Sequence, residues 1–198
     1  MRRPFAIALT IAALAALPIV AAAQEGGAPA SSVKSEILVW ISDAEGKLNE
    51  LAQAMPEGKY TWRPGKDVRS VGEIYLHVAS ANFGIPSFLG VTPPEGFKFE
   101  GYEKSMTKKE DITKALQASF VHVKSVIEKS SDADMEQPAE FFGMKTTRRG
   151  AFLLILSHAH EHLGQSIAYA RSNGVTPPWT ARQVAAADAK KKADAEKK

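Results

Sequence analysis

Residues 147–173 read TRRGAFLLILSHAHEHLGQSIAYARSN, followed by Gly174 and, a little further on, Pro177-Pro178. The run predicts one long helix from about Thr147 to Asn173, with Gly174 as the residue that turns the chain out of it and the prolines preventing its resumption. Ala151 to Leu156 is apolar on every side, which predicts that this helix sits deepest in the core. Its histidines do not share one face. At 3.6 residues per turn, His158 and His162 lie about 40° apart, whereas His160 is roughly 200° from His158 and points away.

Three more amphipathic helices precede it. Val33, Ile37, Trp40, Ala44, Leu48, Leu51 and Met55 recur at steps of three and four, the signature of one helical face. Ser31 or Ser32 can cap the start of that helix, and Pro56 ends it. After the connection 57–69, Ser70 with Glu73 forms a capping box. It opens a second helix whose face carries Val71, Ile74, His77 or Val78, Ala81 and Ile85. Thr107 with Glu110 reads as another capping box, starting a third helix with the face Ile112, Leu116, Phe120, Val123 and Ile127. The polar stretch 130–140 ends it, and no window shows strand alternation between hairpin signals. Four such helices in a chain of 198 residues predict an all-α four-helix bundle. The connection of about sixteen residues between the second and third helices predicts one crossover rather than simple up-down-up-down order.

The chain has five histidines and no cysteine. Disulfide frameworks, thiolate zinc sites, iron–sulfur clusters and cysteine nucleophiles are therefore excluded, and any metal must be held by nitrogen or oxygen. An i, i+4 pair such as His158 and His162 is how a helix presents two imidazoles to a divalent ion. The same pair can equally be hydrogen-bonded core histidines. His77 also lies in an apolar stripe, one turn after Ile74, and can join them across a bundle core or stay a structural residue. Glu161 precedes His162 instead of following His158, so the spacing is not that of a zincin protease. Glu161, Gln165 and Tyr169 lie on or near the ligand face. His122 reads as a boundary residue and His160 as exposed or packed against a neighbouring helix. Tyr60 and Trp62 are expected to close the bundle end or line a pocket mouth, Trp179 to pin the chain end, and Arg148-Arg149 to be a solvated pair or, failing that, a contact for an acidic substrate or partner.

The stretches Met55-Pro56-Glu57-Gly58-Lys59-Tyr60-Thr61-Trp62-Arg63-Pro64, Val68-Arg69-Ser70-Val71-Gly72-Glu73-Ile74-Tyr75-Leu76-His77-Val78 and Leu156-Ser157-His158-Ala159-His160-Glu161-His162-Leu163-Gly164-Gln165 together resemble the DinB/YfiT-like superfamily. That family has a His on its second helix and an HxxxH followed by Gly-Gln on its fourth. The likeness runs from about residue 33 to 178 and departs from the pattern at Leu163, where many relatives have Arg. It implies a four-helix bundle with one crossover, commonly a homodimer, and a divalent metal held by His77, His158 and His162. Three imidazoles with an open position suit zinc or nickel, with iron and manganese as further candidates. The resemblance also implies metal-dependent chemistry of hydrolase or thiol S-transferase type on a small-molecule substrate that the residues do not identify. The alternative is a bundle that binds metal or ligand without turnover.

The two ends carry the charge. The whole chain has a formal net charge of +3, yet residues 24–180 hold 17 Lys/Arg against 19 Asp/Glu, so the body offers no electrostatic footprint for nucleic acid. Residues 1–23 read as a signal peptide: Arg2 and Arg3, an apolar run from Phe5 to Val20, and the small-x-small pattern of Ala21 and Ala23. Cleavage is expected after Ala23, giving a periplasmic or secreted protein free of the membrane, with an uncleaved anchor as the alternative; a lipid anchor is excluded, since no cysteine exists to carry it. Residues 24–30 read as a linker, 31–180 as the bundle, and 181–198 as an Ala/Lys-rich tail, frayed and solvated because it has no apolar stripe to dock.

Overall fold

The computed structural model describes residues 32–197; the expected signal peptide and linker lie outside the described residues. Four long helices form the bundle: α1 (Val33–Ala54), α2 (Val71–Gly84), α3 (Lys109–Lys129) and α5 (Arg148–Ser172), with a one-turn α4 (Asp132–Met135) before a hairpin and α6 (Pro178–Glu196) after the bundle. Ser32 caps α1. Ser70 and Glu73 make the reciprocal capping box that opens α2, so the chain leaves the 57–69 connection in a fixed direction. Gly174 adopts a left-handed conformation with φ +75° at the end of α5, a conformation glycine takes without a Cβ penalty.

α1 packs against α3 and α5, and α2 packs against the same two helices. Lys109 at the start of α3 donates to the carbonyls of Gln53 and Met55 at the end of α1, while Lys34 at the start of α1 donates to the Ser130 carbonyl at the end of α3. These two helices are therefore antiparallel. Tyr169, late in α5, donates to the carbonyl of Arg69 just before α2, and Arg148 at the start of α5 donates to the Leu89 carbonyl just after α2, so α2 and α5 are also antiparallel. The connection from α2 to α3 consequently runs the length of the bundle, as the expected crossover does. Rings hold it down: Phe83 of α2 lies 5.5 Å from Phe97, and Phe97 lies 5.1 Å from Tyr102. Phe99 covers Gly84, where a Cβ would come within 2.5 Å of its ring. A glycine-sized surface is what allows that approach.

Four sequence-based expectations are corrected. First, α3 starts at Lys109 with Lys108 as its cap and no side-chain cap bond. The Thr107–Glu110 capping box does not form, because Glu110 turns forward to pair with Lys114 at 2.6 Å. Second, Pro138–Phe141 (β1) and Met144–Thr147 (β2) form an antiparallel hairpin. Its two turn residues, Phe142 and Gly143, both have positive φ, 50° and 75°, as a tight two-residue hairpin turn requires. Third, the most enclosed helix is α2, not α5: every residue of α2 except Glu73 and His77 is buried, whereas Leu153 of α5 is 44% exposed. The crossover and α3 and α5 together surround α2. Fourth, the Ala/Lys-rich tail is continuous helix. Trp179 packs against the core and Arg182 pairs with Glu50, after which α6 is exposed throughout. Among the described residues no helix is long and apolar enough to cross a membrane.

Candidate metal centre

α2 and α5 carry His77 and the His158/His162 pair to one point. The helical phase that buries Ile74, Val78 and Ala81 on α2 and Ala151, Ile155 and Ala159 on α5 aims these imidazoles into the space between the two helices. One ligand-capable nitrogen from each of His77, His158 and His162 lies within 4.8 Å of the others. The ring centroids are 4.5–4.8 Å apart, and Nε2 of His158 is 2.9 Å from Nε2 of His77. His162 is buried, and the other two are half-buried.

Two of the rings are tied off on their outer nitrogens. Nδ1–H of His77 donates to Oε1 of Glu103 at 2.5 Å, and Nδ1–H of His162 donates to Oε1 of Gln165 at 2.9 Å. Each Nδ1 proton is thereby fixed, which leaves Nε2 bare and turned inward, the tautomer that metal-ligating imidazoles adopt. With His77 Nε2 as an acceptor, the short contact has Nε2–H of His158 as its donor. Nδ1 of His158 is then a buried acceptor, and no side chain or backbone group satisfies it. The centre thus holds two inward acceptor nitrogens and a third ring with one nitrogen left unpaired, an under-satisfied set that is costly in an apolar core. The arrangement is accounted for if the rings serve a cation, and a donor set of three neutral imidazoles fits zinc or nickel.

The electrostatics agree. Burial pushes the His158 imidazole down to about 3, with the neighbouring His162 and His77 rings acting in the same direction. Burial also lowers His77, although Glu103 opposes it. Both rings are neutral at neutral pH, the form that can bind metal. Burial on its own would raise the Glu103 carboxyl, but hydrogen bonds from Arg69 and His77 outweigh it and hold the group below its ordinary range.

The other singled-out residues fall outside this centre or behind it. His160 turns back to its own helix, its Nδ1–H donating to the Leu156 carbonyl, and His122 lies against the Phe83 ring on another face. Glu161 is exposed. Tyr60 is buried, donating to the Ala52 carbonyl, and Trp62 meets the Tyr169 ring edge-on at 5.3 Å, so both close the bundle end as expected. Arg149 pairs with Glu136 and Arg148 with the Leu89 carbonyl, which shows the two arginines as structural rather than freely solvated. Sequence reasoning missed Glu103 and Arg69. Glu103 belongs to the crossover, where no periodicity marks a face, and Arg69 precedes the cap of α2.

The sequence model of the DinB superfamily matches residues 41–166, a span that includes all three histidines. No curated protein matches the chain significantly. Among solved structures, a DinB-like protein from Bacillus cereus is similar over 73% of this chain and 95% of its own, at 16% identity and a TM-score of 0.64. A DinB-like protein from Bacillus subtilis is similar over 71% of this chain and 93% of its own, at 19% identity and a TM-score of 0.56. A conserved protein from Enterococcus faecalis covers 72% of this chain and 97% of itself, at 17% identity and a TM-score of 0.60. The chain belongs to the DinB superfamily.

Proposed function

We propose that this DinB-superfamily chain holds a divalent ion, zinc or nickel, through Nε2 of His77 and His162 and a ring nitrogen of His158, and acts after export as a metal-dependent enzyme of hydrolase or thiol S-transferase type. The observation that carries this reading is the convergence of three imidazoles from two helices, with the Nδ1 protons of His77 and His162 fixed by Glu103 and Gln165. An ion held by these three rings would supply a Lewis acid able to activate water or a thiolate.

The chain's own residues supply the rest. Glu103 and Gln165 hold two rings in a single tautomer. The buried side of His162, with Ala159 and Leu163 beside it, keeps bulk water from the back of the centre. Glu103 and Gln165, the partners of His77 and His162, also line a polar cavity of about 550 Å³ together with Arg63, Lys66, Arg69 and Lys104, which could admit a charged small molecule beside the centre.

A second reading, a bundle that binds metal without turnover, is favoured by one observation. Glu103, Gln165 and Tyr169 are each engaged by two partners, so no uncommitted general base adjoins the histidines among the described residues. Metal analysis of the purified protein tests both readings. About one equivalent of zinc or nickel is expected in the wild type and none in His158→Ala; absence of stoichiometric metal in the wild type refutes both. Assays of the loaded protein against electrophile–thiol pairs and simple esters then separate enzyme from binder. Export and homodimer formation belong to the same proposal. They are tested by the intact mass of the mature protein, expected to begin at Gln24, and by sedimentation.

A further inference from the structure

We propose that Arg69 and Glu103 are positioning residues for the histidine centre, and that Arg69 is the junction through which two of its three rings are oriented. The inference rests on the metal-binding reading above and extends it to residues that touch no metal. The first arm runs through side chains. Arg69 donates from Nε to Oε2 of Glu103 at 2.7 Å and from Nη2 to Oε1 at 3.1 Å, a two-point grip that a planar guanidinium makes on a carboxylate and an ammonium does not. Oε1 of that carboxylate is the atom that receives Nδ1–H of His77. The second arm starts from the Arg69 backbone. Its carbonyl accepts from the Tyr169 hydroxyl at 3.1 Å, Tyr169 in turn accepts from Nε2 of Gln165 at 3.2 Å, and Oε1 of Gln165 receives Nδ1–H of His162.

Both arms leave one residue that sits immediately before the capping box of α2. The carboxylate comes from the crossover, the hydroxyl and amide from α5, and His77 from α2. Three segments distant in sequence thus meet at Arg69, whose position is fixed because the next residue, Ser70, is buried and locked into the cap. A carboxylate on the far nitrogen of a ligating imidazole fixes the ring's tautomer and raises its basicity, and its loss commonly weakens metal affinity about 10- to 100-fold. Here the carboxylate is itself held, so the effect should propagate one residue further out.

The test uses the full chain, freed of metal by chelation, with Zn²⁺ as the probe in competition with a chromophoric chelator. Glu103→Ala is expected to weaken Zn²⁺ binding about 10- to 100-fold. Glu103→Gln, which keeps an oxygen for the His77 Nδ1–H, is expected to lose less. Arg69→Met should fall between them, and Tyr169→Phe, which cuts only the second arm, should weaken binding by less than Glu103→Ala. The visible spectrum of the Co²⁺-loaded forms should change in Glu103→Ala, a signature that a purely structural role would not move, and Glu103→Gln and Arg69→Met still decide the matter should the alanine variant not fold. In the metal-free wild type, ¹⁵N spectra should show the His77 proton on Nδ1, and Glu103→Ala should lose that preference. Zn²⁺ affinities of Glu103→Ala and Arg69→Met within about threefold of wild type, or a His77 proton residing on Nε2, would overturn the proposal. If the wild type itself binds no Zn²⁺, the metal reading fails, while the ¹⁵N pattern still supports or refutes the positioning of His77.

Discussion

Replacing His158 by leucine should make the metal-free protein more acid-resistant while abolishing its affinity for metal. In the folded metal-free chain the His158 imidazole is held down to about 3 by burial and by its two neighbouring rings. An unfolded histidine titrates near its ordinary value of about 6.5. Between these values the unfolded chain binds a proton that the folded chain refuses, so stability falls as pH drops below about 6.5 and continues to fall until the folded group titrates. The slope is about 1.4 kcal/mol per pH unit for one such group, giving a loss of about 2 kcal/mol on going from pH 7.5 to pH 5.0. The ring keeps some water, and screening reduces this to about 1–2 kcal/mol. His158→Leu removes the slope. The packing change at this site is the same at both pH values and cancels in the difference. Urea unfolding of wild type and variant, in chelator, at pH 7.5 and 5.0 provides the four free energies. The stability of the variant relative to wild type should rise by about 1–2 kcal/mol at the lower pH. Parallel pH profiles for the two proteins would refute the reasoning, because they would mean that His158 carries its proton as readily in the fold as outside it.

Other expectations follow from packing and capping. Phe120→Ala deletes a ring that is fully buried between the helices and should cost about 3–5 kcal/mol in chemical unfolding. Ser70→Ala removes the α2 cap and one half of its capping box; a loss of about 1 kcal/mol is expected, together with weaker Zn²⁺ binding, since Arg69 adjoins the cap. Phe142→Asn at the hairpin turn should raise stability by about 1 kcal/mol, because asparagine tolerates the φ of 50° found there; an unchanged or lowered melting temperature would contradict this. Tyr60→Phe strips the hydroxyl that meets the Ala52 carbonyl at 2.7 Å and should cost about 1–2 kcal/mol with metal affinity unaltered.

The bundle was readable because each long helix repeats an apolar face for several turns and because Ser32, Ser70 and Gly174 mark its boundaries in ways that side-chain chemistry explains. The hairpin was not, since its strands are four residues long and its turn places a phenylalanine where an asparagine or glycine would have announced it. The expectation that α5 would be deepest failed for a related reason: an all-round apolar stretch reports local composition, and it was the crossover, invisible to periodicity, that enclosed α2. At the site, the i, i+4 relation of His158 and His162 follows from helix geometry alone. The pairing with His77 needed the family resemblance, and the structure places the three rings together. Glu103 and Arg69 had no such signal, because a carboxylate in an aperiodic connection acquires its direction only from the tertiary contacts that seat the connection and from the arginine that grips it.

That seating gives position 84 an influence out of proportion to its chemistry. Gly84 has an ordinary right-handed backbone and its carbonyl accepts from the Ser87 hydroxyl, and the Phe99 ring comes within 2.5 Å of where its Cβ would be. A single methyl there would displace the Phe99 ring from its seat, four residues before Glu103, the carboxylate that steadies His77. The seat of the crossover thus depends in part on a residue that a survey of ligands and their hydrogen bonds would pass over.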